Sequence, residues 1–380
     1  MKRIAYLGGQ RAGGTFRVFQ TLRAELSASD LDVALINPKV AGYCGDDPDG
    51  FDAAQALTKE LASFDAVIVN AFMARVLMNV ARYLPTSQPR LLVVHNVTHA
   101  TYRAARELRE FVDHTIAVSP RIRNDLVADH GFAPESVSIT FNGVPPRFFA
   151  AEGPVGSSGP VRLLSLGRLE DNAKRISKIP EMIDPMIRRQ VAITIGGDGR
   201  DRASIERAFE VSGLQAHFRG IVPNDTVPAL AAEHEVFLFP SRFEGMPVAL
   251  AEAMAAGLVP VAARIRGITD AVIEDGINGF VFDQGDWAAA RRAVTTLVEN
   301  PELRLKMRRA ARERARTLFR VEDMGRAYAE VLERIIREPR RRPSLPLSDW
   351  KIPPGMRPGW RGLLPTGMRR KLADLVLYRG

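Results

Sequence analysis

The feature that most constrains this chain is a regular alternation of short apolar runs with segments of helical length. Five runs precede residue 120: RIAYLG (3–8), LDVALIN (31–37), DAVIVN (65–70), RLLVVHN (90–96) and HTIAVS (114–119). Continuous apolar runs rich in β-branched residues are typical of strands that are buried on both faces. Helix-length segments such as 15–29 and 120–131 separate several of the runs. This order predicts a doubly wound parallel sheet.

The same alternation restarts after an interruption at residues 150–160. That stretch, AAEGPVGSSGP, has the glycine, proline and serine content of an exposed connector. After it come VRLLSLG (161–167), VAITIGG (191–197), HFRGIV (217–222), EVFLFPS (235–241) and LVPVAA (258–263), then arginine-rich helical segments at 286–299 and 301–336. The length of 380 residues suits two domains. We therefore expect two doubly wound, Rossmann-like domains at 1–150 and 151–336, followed by a proline- and arginine-rich tail at 337–380.

The tail carries almost all of the net charge of +9. Residues 337–380 contain 11 Lys or Arg against 3 Asp or Glu, which leaves the rest of the chain at +1. A basic segment can serve nucleic acid, anionic lipid or an acidic protein. Nucleic acid is disfavoured, because the sequence has neither aromatic RNP motifs nor zinc-ligand spacings.

The sequence also bears on the cellular compartment. A single cysteine, Cys44, excludes an internal disulfide and fits a reducing compartment. The start MKRIAYLGGQ has too short an apolar run for a signal peptide. No stretch approaches the roughly 18 apolar residues that a membrane span needs. We expect a cytoplasmic protein, with attachment to the inner face of a membrane left open.

Loops that follow the predicted strands are the candidate ligand sites, because open parallel sheets bind ligands beyond the carboxyl ends of their strands. GGQRAGG (8–14) follows the first run, and its glycines either bring backbone N–H groups to an anion or only form a turn. Arg168 and Lys174 follow the run 161–167 and either bind a ligand or are solvated surface charges. IGGDG (195–199) is a second glycine-rich loop in this position.

Two carboxylates, Glu244 and Glu252, lie in the otherwise apolar stretch FPSRFEGMPVALAEAMAAGLVP (239–260). The pattern predicts a strand, a loop, and a helix that begins near Pro247 and ends near Gly257. A helix this apolar is mostly buried, so Glu252 needs hydrogen-bond donors. Sugar hydroxyls would supply them, and a salt bridge in the core is the alternative.

Several motifs together resemble the retaining glycosyltransferases of family 4, which have the GT-B architecture of two Rossmann-like domains facing across a cleft. They are SLGRL followed by Lys174, IGGDG, FRGIV, FPSRFEGMPVALAEAMAAGLVPVAA and VIEDGINGFVF. The resemblance covers about residues 1–336 and is strongest at 161–283. The family's Glu-x7-Glu pattern matches Glu244 and Glu252.

The resemblance implies transfer of a sugar from a UDP- or GDP-linked donor to a hydroxyl acceptor, a glycan or a lipid-linked saccharide. Arg168 and Lys174 would hold the donor diphosphate without a metal ion or other cofactor. Glu244 would face the transferred sugar, and Glu252 would accept hydrogen bonds from the ribose hydroxyls. The other residues assigned to the donor site are Gly13, Gly14, Gly197, Gly199, Gly245, Met246, Pro247 and Val248.

His95 matches a histidine that the family places near the sugar and the acceptor, and His99 competes for this role. The implied mechanism is front-face transfer with retention, in which the acceptor hydroxyl attacks from the side that the phosphate leaves. A phosphate oxygen takes the proton, so no protein nucleophile is needed. Closure of the two domains over the donor would exclude water.

The sequence departs from the family pattern in ways that bear on its sugar preference. Pro145 follows Asn142, Gly143 and Val144 where Asp is common, and Asp270 replaces the usual Glu. Only Gly267 is left of a glycine pair before it. Two other functions are weighed against transfer: a nucleotide-sugar epimerase of the same fold, and a catalytically silent relative that binds nucleotide sugars.

The tail lies outside the resemblance. Seven prolines between Pro339 and Pro365 prevent long helices, and MRRKLADLVLY (368–378) is predicted as a short helix. Either the tail binds anionic lipid, with Trp350 and Trp360 at the interface, or it wraps the first domain as a structural strap.

Overall fold

The protein contains two six-stranded sheets, and every strand pairing within them is parallel. The computed structural model describes residues 1–8, 14–36, 50–71, 75–150 and 159–357. Helices flank both sheets, and the predicted fold class of two doubly wound parallel sheets is confirmed. The predicted domain boundaries stay a prediction.

The first sheet has the strand order β2-β1-β3-β4-β5-β6. Its strands are β1 (Lys2–Leu7), β2 (Leu31–Ile36), β3 (Ala66–Ala71), β4 (Arg90–Val94), β5 (His114–Ala117) and β6 (Val137–Ile139). The helices of this half are α1 (Gly14–Leu26), α2 (Phe51–Leu61), α3 (Arg75–Asn79), α4 (His99–Leu108), α5 (Pro120–His130) and α6 (Pro146–Ala150).

The second sheet has the order β12-β11-β10-β7-β8-β9. Its strands are β7 (Val161–Leu166), β8 (Val191–Gly196), β9 (His217–Gly220), β10 (Val236–Phe239), β11 (Val259–Ala263) and β12 (Phe280–Phe282). The helices that follow β7 along the chain are α7 (Asp171–Lys174), α8 (Arg202–Ser212), α9 (Val227–Ala232), α10 (Val248–Ala255), α11 (Thr269–Val272), α12 (Trp287–Glu299), α13 (Pro301–Leu318) and α14 (Val321–Arg337).

The central strands are buried along their whole length, as the continuous apolar runs predict. Every residue of β3, β4, β10 and β11 is buried. Helices on both faces exclude water from these strands, so polar side chains on either face would be buried away from solvent. The strands are therefore almost entirely apolar and do not alternate. The ten predicted strands all form, with ends that differ from the prediction by at most two residues, and the short strands β6 and β12 were not predicted.

The strand orders locate where each sheet can hold a ligand. In the second sheet the chain builds outward from β7 to β9, then returns to the other side of β7 and continues through β10. The direction of winding reverses between β7 and β10, and the loops after these two strands diverge and leave a crevice. In the first sheet the corresponding reversal lies between β1 and β3.

The prediction of one long helix over 301–336 is wrong, because this segment forms two helices, α13 and α14. The chain breaks at Phe319, whose side chain is fully buried and whose carbonyl oxygen accepts from the Val144 backbone N–H at 2.8 Å. This bond and the bridge between Val144 and Arg320 hold the break against the first half of the chain. Helix α14 then packs against α1, beside the first sheet rather than the second.

The first part of the tail lies on the first half of the molecule, as the strap alternative predicts. We call residues 338–357 the strap. Backbone N–H groups of Arg342 and Leu345 donate to the carbonyls of Thr86 and Arg82. Further along, the Trp350 ring lies 4.6 Å from the Tyr83 ring, and Ile352 and Met356 are buried in the same core as the first sheet. Trp360 and the helix predicted at 368–378 lie outside the described residues.

The strap also neutralises a buried charge. Arg342 Nε lies 3.0 Å from Asp113 Oδ1, and the Asp113 side chain is only 3% exposed. The other carboxylate oxygen accepts from the Arg90 backbone N–H at 2.8 Å. The Arg90 guanidinium in turn donates to the Pro343 carbonyl at 3.1 Å. Removing the strap would therefore leave the buried Asp113 carboxylate without its salt-bridge partner.

We expect Arg342→Met to lower the free energy of unfolding by roughly 3 kcal/mol, because the buried Asp113 carboxylate would lose its salt-bridge partner. Urea unfolding followed by circular dichroism measures the change. The neighbouring exposed Arg341 gives the matched control, and Arg341→Met should change stability by less than about 0.5 kcal/mol. Equal effects of the two substitutions would contradict the strap's role.

Candidate functional site

Lys174 and Glu244 meet at the crevice where the second sheet reverses. Lys174 ends the short helix α7 behind β7, and Glu244 lies in the loop between β10 and α10. A backbone bond from Arg242 N to Ala173 O, at 2.7 Å, holds the two segments together. Lys174 Nζ then lies 2.5 Å from Glu244 Oε1, and both side chains are mostly shielded from solvent. The structure thus joins two predicted site residues that are 70 positions apart in sequence.

Arg168 lies beside this pair and is the more available cation. Its side chain is 67% exposed, with Nη1 at 3.3 Å from Glu170 Oε1. A Cβ atom placed on the preceding Gly167 would lie 3.7 Å from Lys174 Cε, so the loop carrying Arg168 runs against Lys174. Both predicted cations therefore occupy the crest of the sheet. An exposed ion pair of this kind holds its arginine only weakly, which leaves Arg168 able to turn towards an anion.

The glycines of IGGDG have a packing role that the sequence did not reveal. Gly197 has φ +132°, and a Cβ atom there would lie 1.8 Å from the Gly167 carbonyl oxygen. A Cβ atom on Gly199 would lie 2.5 Å from the Leu169 carbonyl oxygen. These glycines let the loops after β7 and β8 pack backbone against backbone. Their predicted contact with a donor stays a prediction.

Glu252 is buried in the second turn of α10 and is paired across the cleft. Its side chain is 5% exposed, and its Oε1 lies 2.7 Å from Nη1 of Arg17 in α1. Burial raises the pKa of Glu252 above its ordinary value, while Arg17 and, from farther away, Arg147 oppose the rise. The salt-bridge alternative is therefore present in the structure, and it connects the two halves of the molecule.

The loop that carries Glu244 touches the first half of the chain at His95. A Cβ atom on Gly245 would lie 1.8 Å from the His95 carbonyl oxygen and 3.0 Å from Asn96 Cα. Only glycine permits so close an approach of two backbones. A second contact of this kind joins Arg121 N to Gly267 O at 3.2 Å. The loops that follow β4 and β10 therefore face each other, with no room for a side chain between Gly245 and the His95 carbonyl.

The His95 ring is held in one orientation by Asn70. Asn70 Nδ2 donates to the Leu7 carbonyl at 2.8 Å, which turns its Oδ1 towards His95 Nε2 at 2.7 Å. An amide oxygen only accepts, so the His95 proton belongs on Nε2 and Nδ1 is left as an acceptor. Burial lowers the pKa of His95 to about 4, so the ring is neutral near pH 7. The competitor His99 is exposed, in the first turn of α4.

The remaining predicted positions are placed as follows. Met246 is buried, Pro247 precedes the first residue of α10 and Val248 begins that helix. Gly14 begins α1, and Gly13 lies outside the described residues. Asp270, where the family usually has Glu, accepts from the Gly267 backbone N–H at 2.6 Å and so fixes the loop that meets Arg121.

Arg17 and Asn70 belong to this site and were missed by the sequence analysis. Arg17 stands three residues after Gly14 in a helix whose face could not be oriented from sequence, and Asn70 ends the third apolar run. A polar residue near the end of an apolar strand is a weak signal for a functional site, and it is the one signal that could have indicated Asn70. For Arg17, its place just after a glycine-rich loop is a similarly weak signal. Within the described ranges, His, Cys, Asp and Glu side chains form no group of three that could hold a metal ion.

We expect Asn70→Asp to raise the pKa of His95 from about 4 towards its ordinary value or above, because a carboxylate beside Nε2 stabilises the imidazolium. NMR titration of the His95 ring proton, assigned with His95→Gln, measures the shift. Asn278 is also buried but accepts from the Glu274 backbone, so Asn278→Asp is the control and should leave the titration unchanged. An unaltered His95 pKa in Asn70→Asp would contradict the contact.

Comparison with known proteins identifies relatives over parts of the chain. The sulfoquinovosyl transferase SQD2 of Arabidopsis thaliana is 30% identical over 219 residues, which are 55% of this chain and 42% of that protein. The amylovoran biosynthesis glycosyltransferase AmsK of Erwinia amylovora is 28% identical over 54% of this chain and 52% of its own length. The chain thus spans about half the length of these two relatives.

Solved structures match over almost the whole chain. Sucrose-phosphate synthase from Thermosynechococcus elongatus has a TM-score of 0.75 at 16% identity, covering 89% of this chain and all of that one. Anabaena Alr3699/HepE in complex with UDP and glucose has a TM-score of 0.69 at 17% identity, covering 88% and 100%. Identities this low show a common fold.

The family profiles match both halves. The profile described as "Glycosyltransferase Family 4" matches residues 12–148, and that described as "Glycosyl transferases group 1" matches residues 154–314. Together with the two facing parallel sheets and the crevice residues, these matches show that the chain belongs to the family 4-like glycosyltransferases with the GT-B fold.

Proposed function

We propose that the protein transfers a sugar, with retention of configuration, from a UDP- or GDP-linked donor to a hydroxyl of a glycan or lipid-linked saccharide. The observation that supports this most strongly is the contact of Lys174 with Glu244 at the reversal of the second sheet, with Arg168 beside it and His95 across the cleft. That arrangement places cations and a carboxylate where a parallel sheet binds nucleotides, with a neutral imidazole across the cleft.

The cations suit a diphosphate leaving group. Negative charge develops on the phosphate as the glycosidic bond breaks, and fixed positive charge at that point lowers the barrier. Lys174 is held by Glu244 at 2.5 Å, so its ammonium is already positioned. Arg168 is exposed and gives a planar guanidinium that matches phosphate oxygens in pairs. These two side chains take the place that a divalent cation has in other transferases.

The carboxylates suit the hydroxyl-bearing parts of the donor. In this proposal Glu244 accepts from a hydroxyl of the transferred sugar while it keeps Lys174 in place. Glu252, one helical turn into α10, accepts from the ribose hydroxyls. A carboxylate has about four acceptor sites, so neither glutamate must release its cation to bind a hydroxyl.

His95 contributes as a neutral group beside the transferred sugar. Its Nε2 is engaged with Asn70, so a sugar hydroxyl would donate to Nδ1. The acceptor hydroxyl attacks the anomeric carbon from the face that the diphosphate leaves, and its proton passes to a phosphate oxygen. Retention then needs no covalent intermediate on the protein. The close contact of Gly245 with the His95 carbonyl limits the space for water beside the reacting bond.

Relatives support the choice of substrate class. Two of them are named a sulfoquinovosyl transferase and an amylovoran biosynthesis glycosyltransferase, and a protein of the same fold has been solved with UDP and glucose. Glycosyl transfer and the binding of UDP thus recur among similar proteins, which makes UDP-linked donors the first to test.

Binding of UDP and GDP tests the phosphate assignment. We expect one of the two to stabilise the protein in a thermal-shift assay, because a ligand that binds only the folded form raises its stability. Arg168→Ala combined with Lys174→Ala should weaken calorimetric binding at least about tenfold, since two charge-assisted contacts are lost. The matched control is Lys178→Ala with Arg189→Ala, two exposed cations of the same half. Unchanged affinity in the first double variant would contradict the assignment.

Attachment to an anionic membrane surface is a separate proposal for residues 358–380. This segment contains Arg361, Arg369, Arg370, Lys371 and Arg379 against one acidic residue, Asp374. The strap's Arg342 is already paired with Asp113, so the cations beyond residue 357 are the ones to consider. No helix within the described residues is long and apolar enough to cross a membrane.

We expect the full chain to float with vesicles that contain phosphatidylglycerol, and a chain cut after Arg357 to stay unbound, because the cut keeps the strap and removes the basic segment. Neutral phosphatidylcholine vesicles are the control. Equal flotation of the two chains would remove the membrane proposal and leave the transferase proposal untouched.

A further inference from the structure

The bond between Arg17 and Glu252 joins opposite halves of the molecule inside the proposed donor site. We propose that Arg17 is a positioning residue for the donor, which reaches across the cleft and holds the Glu252 carboxylate in place for the ribose hydroxyls. This inference rests on the proposed function, because it assigns a role to Arg17 within the same nucleotide-sugar site.

The position of Arg17 follows from the topology of the first sheet. Helix α1 follows β1, the strand beside which that sheet reverses, so its first turns border the crevice of the first half. Arg17 lies in the first turn of α1, three residues beyond Gly14. Its Nη1 reaches Glu252 Oε1 at 2.7 Å, a length typical of a charge-assisted hydrogen bond.

The bond leaves acceptor capacity on the carboxylate. Arg17 engages Oε1, and among the described residues no hydrogen bond reaches Glu252 Oε2. A carboxylate oxygen has free lone pairs for a second donor, and a ribose hydroxyl would donate to Oε2. Arg17 also has an unused donor, since its buried Nε–H finds no acceptor within the described part of the chain. The available acceptor and the unsatisfied donor belong to one ion pair, in the place proposed for the nucleotide.

The charges around Glu252 make Arg17 its main counter-charge. Arg147 in α6 acts on Glu252 from farther away. Helix α13 packs along α10, and its guanidinium groups are engaged elsewhere: Arg308 donates to the Gly257 carbonyl and Arg312 to the Phe149 carbonyl. Burial raises the pKa of Glu252, and Arg17 is the largest influence that lowers it. Loss of Arg17 would therefore let Glu252 take up a proton at a higher pH.

The same bond makes ribose binding depend on the positions of the two sheets. Arg17 belongs to α1, beside the first sheet, and Glu252 belongs to α10, beside the second, so the carboxylate is oriented by Arg17 only when the halves are together. The contact of Gly245 with the His95 carbonyl closes the same cleft. The donor would then be bound by the Glu252 carboxylate of the second half, which is oriented by the Arg17 guanidinium of the first half.

Calorimetric titration at a series of pH values between 5.5 and 8.5 tests the proposal. The ligands are UDP-glucose and GDP-mannose, whose diphosphates do not titrate in this range. In Arg17→Met the affinity should fall about tenfold at pH 7 and recover as the pH rises, because only ionised Glu252 accepts from two hydroxyls. Wild-type affinity should change little over the same range. Arg17→Lys should restore part of the loss, and Arg23→Met, on the exposed side of the same helix, should match the wild type.

A second variant guards against a purely structural effect. Arg17→Met combined with Glu252→Gln should bind weakly at every pH, because the titrating carboxylate is gone. The proposal is overturned if Arg17→Met binds as tightly as the wild type, or if its loss of affinity is the same at every pH. If the wild-type protein bound neither sugar nucleotide, and neither UDP nor GDP stabilised it in the thermal-shift assay, the proposed function itself would be rejected. If the wild type bound these ligands and only Arg17→Met behaved against expectation, the role of Arg17 alone would be rejected.

Discussion

The contact between Lys174 and Glu244 is the interaction on which the rest of the site depends. It exists because the chain reverses its winding between β7 and β10, so that the loops after these strands share one crevice. Either group alone would lose favourable interactions on leaving water, and each offsets that cost for the other. The pair thus keeps a cation and an acceptor beside the empty space that a parallel sheet leaves at its reversal.

Two further contacts bring the first sheet to this place, and they are of different physical kinds. Gly245 meets the His95 carbonyl through sterics alone, since any side chain there would collide with the opposite backbone. Arg17 meets Glu252 through charge, and this bond is strong because both groups are largely out of water. The steric contact fixes how close the halves come, and the ionic contact fixes which groups face each other.

The strap shows how a basic tail can serve the fold. Arg342 neutralises Asp113 at the amino end of β5, on the side of the first sheet away from the cleft. Trp350, Ile352 and Met356 cover apolar surface of the same half. Helix α14 also crosses to that half, so the last described part of the chain stabilises the sheet that the first residues build. The crevice residues owe part of their fixed positions to this distant segment.

The sequence by itself determined most of the strands and the candidate groups. Continuous apolar runs fixed ten strands, because strands buried on both faces tolerate few polar residues, and the motifs around Arg168, Lys174, Glu244 and Glu252 marked the donor-site candidates. The tertiary structure alone decided which groups meet. The contact of Val144 with Phe319 at the helix break, the bond from His95 to Asn70 and the pairing of Arg17 with Glu252 all join residues distant in sequence or on faces that periodicity cannot orient. Local pattern reports burial, whereas contact between sheets depends on strand order and the approach of backbones, which no short stretch encodes.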